Sequence, residues 1–125
     1  MNFTPIAKPY LSCRVKQISK YAYSTERIQR EVLKRLIGTA SATEWGIRHS
    51  YSAIANYEQF AQSVAVQDYE SLKGYIDRMR HGEKDVLWKG RCKWFAKSSG
   101  TTNDKSKFIP VTPSGLQNVH YRGGF

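Results

Sequence analysis

A chain of 125 residues with a formal net charge of +10 is long enough for one domain and too short for several. Its apolar runs fall short of the ~18 residues that a membrane span needs, and its first residues lack the pattern of a signal peptide. We therefore expect a cytoplasmic protein without a membrane partner. The excess of 20 Lys and Arg over 10 Asp and Glu leaves nucleic acid to be considered.

Apolar spacing predicts two helices at the beginning of the chain. The first follows Pro9 and runs to Ser19, because three apolar residues there share one helical face. Ser24 is expected to cap a second and stronger helix. That helix ends at Gly38, where a left-handed cap is possible, or continues to Ala42.

Shorter elements follow along the chain. Residues 45–47 are predicted to form a turn or a short helical piece, and Asn56 can cap another short helix. Residues 64–66 form a brief β-prone run. Asp68 then caps a helix that ends near Gly82.

Two apolar segments near the end of the chain are predicted to be strands. Residues 93–97 and 107–112 should pair as an antiparallel hairpin with a long tip, and Pro113 should begin a closing helix. The fold class is therefore α+β, helix-rich with a small hairpin. Residues 1–92 are mainly helical, and residues 93–125 form a strand, a loop, a strand and a helix.

The loop of this hairpin has the composition of a phosphate-binding loop. Gly100 allows close approach of the backbone, turn amides can surround an anion, and hydroxyls and lysines add donors and charge. Similar polar clusters between strands are more often simple turns. The loop is also not a Walker A motif. That motif would require glycine at position 105 and lysine at position 106, where this chain has Lys105 and Ser106.

A longer string of residues carries a family resemblance. Residues 94–102 are Trp-Phe-Ala-Lys-Ser-Ser-Gly-Thr-Thr, and residues 107–112 are Lys-Phe-Ile-Pro-Val-Thr. This pattern resembles the phosphate-binding loop of the adenylate-forming superfamily. It is most similar to that of the auxin-responsive acyl-acid-amido synthetases. The likeness extends upstream through residues 43–46, 68–72 and 86–88.

The resemblance implies a nucleotide site but assigns no catalytic residue and no metal ligand. Asn103 and Asp104 depart from the family pattern, in which glycine is common. Both residues tolerate a left-handed backbone, so the turn can survive. The nucleotide-binding positions that the resemblance implies are Ser98, Ser99, Gly100, Thr101, Thr102 and Lys107.

The same resemblance implies a two-step ligase reaction. A carboxylic acid attacks ATP to give an acyl-adenylate and pyrophosphate, and an amino acid then displaces AMP to form an amide. ATP and Mg²⁺ are the implied cofactors, with a small carboxylic acid and an amino acid as substrates. Such synthetases are several times longer, so we expect this chain to be the N-terminal portion of a larger α/β adenylation domain. It should be inactive without the C-terminal part, which would contain the acyl and adenine sites.

Two non-enzymatic functions remain as alternatives. The charge, and the basic and aromatic residues that alternate in residues 88–95, suggest a nucleic-acid-binding module, although core anchoring is the more common role of such aromatics. The other alternative is a helical interaction domain that binds no ligand.

Cys13 and Cys92 lack metal-ligand spacing, and we expect both to be reduced and partly buried thiols.

Overall fold

The computed structural model describes residues 4–98 and 106–121. It is an α+β fold dominated by helix, with one two-stranded antiparallel sheet, as the sequence predicts. The elements in chain order are α1 (Thr4–Ala40), α2 (Glu44–Arg48), a 3-10 turn (Tyr51–Ala53), α3 (Tyr57–Ser63), α4 (Tyr69–Arg80), β1 (Trp94–Ser98), β2 (Lys107–Val111), α5 (Pro113–Gly115) and a π-helical turn (Leu116–Tyr121).

Helix α1 is broken at Ser24, whose φ of −140° and ψ of 26° are not helical. The boundary between the two predicted helices is therefore confirmed at that residue, although no loop separates them. The first half starts at Thr4, earlier than predicted, and includes Pro9, which lacks the amide for one helical hydrogen bond. The second half passes through Gly38 and ends at Ala40.

Four of the shorter helices begin at a side-chain cap, the last of them α5, which begins after Thr112. Asn56 and Asp68 accept hydrogen bonds of 2.9 Å and 2.8 Å from the amides three residues later, as predicted. Thr43 caps α2 in the same way at 3.0 Å, which the sequence analysis did not predict. Residues 64–66 form no strand within the described part of the chain, because they have no β partner there.

The core lies where α4 meets the segment that follows it and the hairpin. Met79, Val86 and Cys92 are buried together, and Phe95 of β1 packs against them. Cys92 is thus a buried thiol, whereas Cys13 is exposed, so the expectation of partial burial is wrong for Cys13. Both thiols are free. Between residues 4 and 98, and again from 106 to 121, no helix has the length and apolar content required to cross a bilayer.

Candidate nucleotide site at the hairpin

The predicted hairpin is confirmed, and its register positions the two ends of the loop. Ser98 pairs with Lys107, and Trp94 pairs with Val111 at the other end. Ser98 and Lys107 are therefore the facing residues from which the loop leaves the sheet. Ser98 is half-buried and Lys107 is exposed. The other proposed nucleotide-binding positions lie outside the described residues: Ser99, Gly100, Thr101 and Thr102.

Strand β2 is attached to the first residue of α4. The hydroxyl of Tyr69 accepts a hydrogen bond of 3.0 Å from the backbone N–H of Phe108. That amide therefore points away from β1. Pro110 lies two residues further along the same strand, so an N–H at this position would also point away from β1. Its absence therefore removes no hydrogen bond between the two strands. This explains how a strand with an internal proline can pair.

Two cations lie against aromatic rings beside the start of β2. The Lys107 ammonium is 5.3 Å from the centroid of the Tyr69 ring, and the Arg80 guanidinium is 3.6 Å from the centroid of the Phe108 ring. Both are cation–π geometries. Arg80 also pairs with Asp77 at 3.1 Å. The charge of Arg80 is thus already paired, whereas the exposed Lys107 ammonium at the base of the loop remains accessible to an anion.

One carboxylate lies in the same electrostatic environment. The pKa of Asp68 is lowered from its ordinary value of 3.8, chiefly by the hydrogen bond from the Ser71 amide and to a smaller extent by the charge of Lys107. Asp68 is therefore ionised at neutral pH. Its negative charge is already engaged by the end of α4 that it caps.

The chain that enters β1 is held by the start of α2. The amides of Glu44 and Trp45 donate to the carbonyls of Asp85 and Val86 at 2.8 Å and 3.1 Å. Asp85 has a left-handed φ of 56°, and its carboxylate accepts a hydrogen bond of 2.7 Å from the Gly90 amide. Val86 is 1% exposed. The segment that precedes β1 is therefore fixed against both α2 and the core.

A charge cluster reinforces this connection. Arg78 of α4 donates to both carboxylate oxygens of Glu44, at 3.1 Å and 2.6 Å, and also contacts the carboxylate of Glu83. These hydrogen bonds lower the pKa of both glutamates. Because Glu44 belongs to α2 and Glu83 follows α4, the cluster joins α2 to the end of α4.

The aromatic residues of β1 have different environments. Phe95 packs on the core, as expected for an anchor, whereas Trp94 is 66% exposed and so is not a core residue. Ile109 lies on the same open face of the sheet and is 53% exposed. Among the described residues, no cluster of three His, Cys, Asp or Glu side chains could hold a metal ion.

Three structural residues near the site were missed by sequence reasoning. These residues are Thr43, Tyr69 and Arg80: Thr43 caps the Gly46 amide three residues later, whereas Tyr69 and Arg80 act on Phe108, which only folding brings close. Thr43 precedes a glutamate and a tryptophan, and the cap preference of threonine was the one signal available. No spacing rule relates Tyr69 or Arg80 to Phe108.

Comparisons with known proteins identify the family. The model of the GH3 family N-terminal domain matches residues 14–124. The chain is 30% identical over 95 residues to the indole-3-acetic acid-amido synthetase GH3.15 of Arabidopsis thaliana, which covers 75% of this chain and 16% of that protein. It is 29% identical over 107 residues to the 4-substituted benzoates-glutamate ligase GH3.12 of the same plant, covering 85% of the chain and 18% of the ligase.

A third relative comes from another plant. The jasmonoyl–L-amino acid synthetase JAR6 of Nicotiana attenuata is 28% identical over 94 residues, covering 74% of this chain and 16% of the synthetase. The chain thus spans about a sixth of the length of these relatives. Since the model of the N-terminal domain matches nearly all of the sequence, the chain belongs to the GH3 family.

Proposed function

We propose that this chain provides the nucleotide phosphate site of an ATP-dependent acyl-acid-amido synthetase. The relatives are named as an amido synthetase, a glutamate ligase and an L-amino acid synthetase. The observation that carries the proposal is the register of the hairpin, in which Ser98 faces Lys107 at the two ends of the loop. A loop anchored at both ends by paired strand residues can present its hydroxyls, amides and one ammonium group to a polyphosphate.

The chemistry of the proposed reaction explains why such a loop is needed. A carboxylate oxygen of the acid attacks the α-phosphorus of ATP, and the bond to the bridging oxygen breaks to release pyrophosphate. The amine of an amino acid then attacks the acyl carbon, AMP leaves, and the amine proton passes to solvent. Negative charge grows on the departing pyrophosphate in the first step, so donors and cations directed at it lower the barrier.

The proposed roles follow the chemistry of each group. Four hydroxyls donate hydrogen bonds to the β- and γ-phosphates: those of Ser98, Ser99, Thr101 and Thr102. Gly100 allows the backbone to approach the phosphates closely, and Lys107 supplies positive charge. Mg²⁺ would neutralise phosphate charge, and it would be held largely by the phosphate oxygens, as is usual for this ion at nucleotides. The hydroxyl and ammonium groups of these residues are suited to binding phosphate. This agrees with a Mg²⁺ ion that is held largely by the phosphate oxygens.

The rest of the proposed enzyme lies outside the part that this chain represents. A stretch matching about a sixth of a ligase can provide a phosphate loop but cannot also enclose adenine, an acid and an amine. We therefore propose that the chain alone is inactive and that the C-terminal part of the same protein completes the site. We also propose that the protein works in the cytoplasm.

The test is acid-dependent exchange of pyrophosphate into ATP by the product of the whole reading frame. A panel of small carboxylic acids should include at least one that drives exchange, and Lys107→Ala should slow that exchange by about tenfold or more. Lys89→Ala is the matched control, since Lys89 is an exposed lysine before β1. No exchange with any acid, or equal rates in the two variants, would contradict the proposal.

One observation favours a second candidate, a nucleic-acid-binding module. Trp94 is exposed on the open face of the hairpin between Lys93 and Lys97 in sequence, where an aromatic ring can stack on a base. Binding of this kind weakens steeply as salt rises. A chain that ignores single-stranded DNA and RNA at ~50 mM salt has no such function.

A further inference from the structure

Phe108, the residue that follows Lys107, is held by both ends of α4. Its backbone N–H donates to the hydroxyl of Tyr69, the first residue of the helix, at 3.0 Å. The guanidinium of Arg80, the last residue of the helix, lies 3.6 Å from the centroid of the Phe108 ring. One contact fixes the backbone of this residue and the other fixes its side chain. The neighbouring Lys107 side chain therefore leaves the strand from a fixed point.

The ring of Tyr69 also restrains the side chain of Lys107. The ammonium lies 5.3 Å from the ring centroid, which is within the range of a cation–π contact. A lysine side chain is flexible, and it loses rotamer freedom when a ligand fixes its ammonium. A contact that already restricts the ammonium before the ligand arrives reduces that loss, so it favours binding by preorganisation.

The type of contact leaves the charge of Lys107 available. A carboxylate would also hold the ammonium, but it would offset the charge, as Asp77 does for Arg80 at 3.1 Å. A tyrosine ring attracts a cation through its quadrupole and has no net charge. The ring is itself oriented by the hydrogen bond from the Phe108 amide. Each of these contacts joins two residues of this chain, so none of them depends on what else covers the surface.

We propose that Tyr69 is a positioning residue for the phosphate site. It holds the Lys107 ammonium at the base of the loop, opposite Ser98, so that the ammonium is already oriented when the β- and γ-phosphates of ATP bind. This role rests on the proposed function, in which Lys107 supplies charge to those phosphates. Tyr69 acts through Lys107, so its loss should weaken binding of ATP and spare AMP, which lacks the two phosphates.

The test is a double-mutant cycle in the protein encoded by the whole reading frame, with the affinity for ATP and Mg²⁺ as the readout. Tyr69→Leu should weaken binding by about fivefold, because it removes the ring from the ammonium. In a Lys107→Ala background the same change should cause no further loss, because the group that Tyr69 positions is gone. Tyr69→Phe loses the same hydrogen bond as Tyr69→Leu but keeps the ring, so its affinity should fall by less than about twofold.

A second variant without the ring separates binding from folding. Tyr69→Gln has an amide oxygen that can still accept a hydrogen bond, and it should bind ATP as weakly as Tyr69→Leu. Tyr57→Leu is the matched control and should bind as the wild type does, since Tyr57 is likewise the first residue of a helix with a side-chain cap. Circular dichroism of every variant shows whether the helices persist, and the affinity for AMP should be the same throughout.

The outcomes distinguish this role from the proposed function. Equal ATP affinities of Tyr69→Leu and Tyr69→Phe would overturn the role of the ring and leave the phosphate site in place. A full further loss from Tyr69→Leu in the Lys107→Ala background, or an equal loss for AMP, would do the same, because Tyr69 would then act on the fold and not through Lys107. Unchanged ATP affinity of Lys107→Ala alone would overturn both proposals.

Discussion

The hydroxyl of Tyr69 accepts a 3.0 Å hydrogen bond from the backbone amide of Phe108, which ties the first residue of α4 directly to β2. The ring of the same tyrosine lies 5.3 Å from the Lys107 ammonium. One side chain thus positions both the strand and the cation that follow the proposed phosphate loop. Helix α4 is in turn fixed by the core residues Ile76 and Met79, so the base of the loop rests on a helix that is anchored in the core.

Removing the Tyr69 hydroxyl should loosen this attachment. Tyr69→Phe keeps the ring beside Lys107 but leaves the Phe108 amide without its acceptor, so the free energy of unfolding should fall by about 1 kcal/mol. Urea unfolding followed by circular dichroism measures it. Tyr57→Phe, at a tyrosine that is 67% exposed, should change stability by less than about 0.5 kcal/mol. Equal effects of the two changes would show that the Tyr69 contact is not stabilising.

Gly46 should tolerate no side chain. A Cβ at this buried position would lie 2.0 Å from the Ala40 carbonyl oxygen, which belongs to the backbone and cannot rotate away. Gly46→Ala should therefore destabilise the fold by about 3 kcal/mol. The contact also lies beside the Thr43 cap, which is 1% exposed, so relaxation of this corner is restricted.

A second helical glycine provides the control for Gly46. A Cβ at Gly74, inside α4, meets nothing within 4 Å. Gly74→Ala should then stabilise the chain by about 0.5–1 kcal/mol, because alanine loses less backbone entropy in a helix. Thermal unfolding of both variants distinguishes the cases. A Gly46→Ala protein as stable as the wild type would mean that the junction between α1 and α2 is not as described.

Acid should destabilise the fold through the Arg78 cluster. Hydrogen bonds from Arg78 lower the pKa of Glu44 and of Glu83 below the ordinary value of 4.5. The folded state therefore favours the ionised carboxylates. Their contribution is fully present above the ordinary pKa and is lost as pH falls through the lowered values in the folded protein.

Replacing Arg78 should remove this part of the acid sensitivity. Arg78→Gln should lower stability at neutral pH and make the decline towards acid less steep than in the wild type. Urea midpoints measured from neutral pH to about pH 3 give both slopes. Arg27→Gln, which breaks an exposed pair with Glu31 within α1, should leave the wild-type slope in place. Identical slopes for the wild type and Arg78→Gln would contradict this account.

Local signals predicted much of the fold. The caps at Asn56 and Asp68, the break at Ser24 and the hairpin strands depend on neighbours in sequence, so they could be inferred without tertiary contacts. Because side chains alternate along a strand, Trp94 and Phe95 face opposite sides of β1.

Long-range contacts could not be inferred in the same way. Alternation does not tell which side of β1 meets the core, and Trp94 is exposed although burial was expected. The contact between Tyr69 and Phe108 joins residues 39 positions apart, and no local pattern reports such a distance. Register placed Ser98 opposite Lys107, whereas the nucleotide roles of the loop positions come from family resemblance and remain predictions.

The most direct test of the central claim compares the affinities for ATP and AMP of the protein encoded by the whole reading frame. If the hairpin loop grips the β- and γ-phosphates, Thr101→Ala with Thr102→Ala should weaken binding of ATP with Mg²⁺ by about tenfold or more. The affinity for AMP, which lacks those phosphates, should stay unchanged. Unchanged ATP affinity, or an equal loss for both nucleotides, would contradict the account.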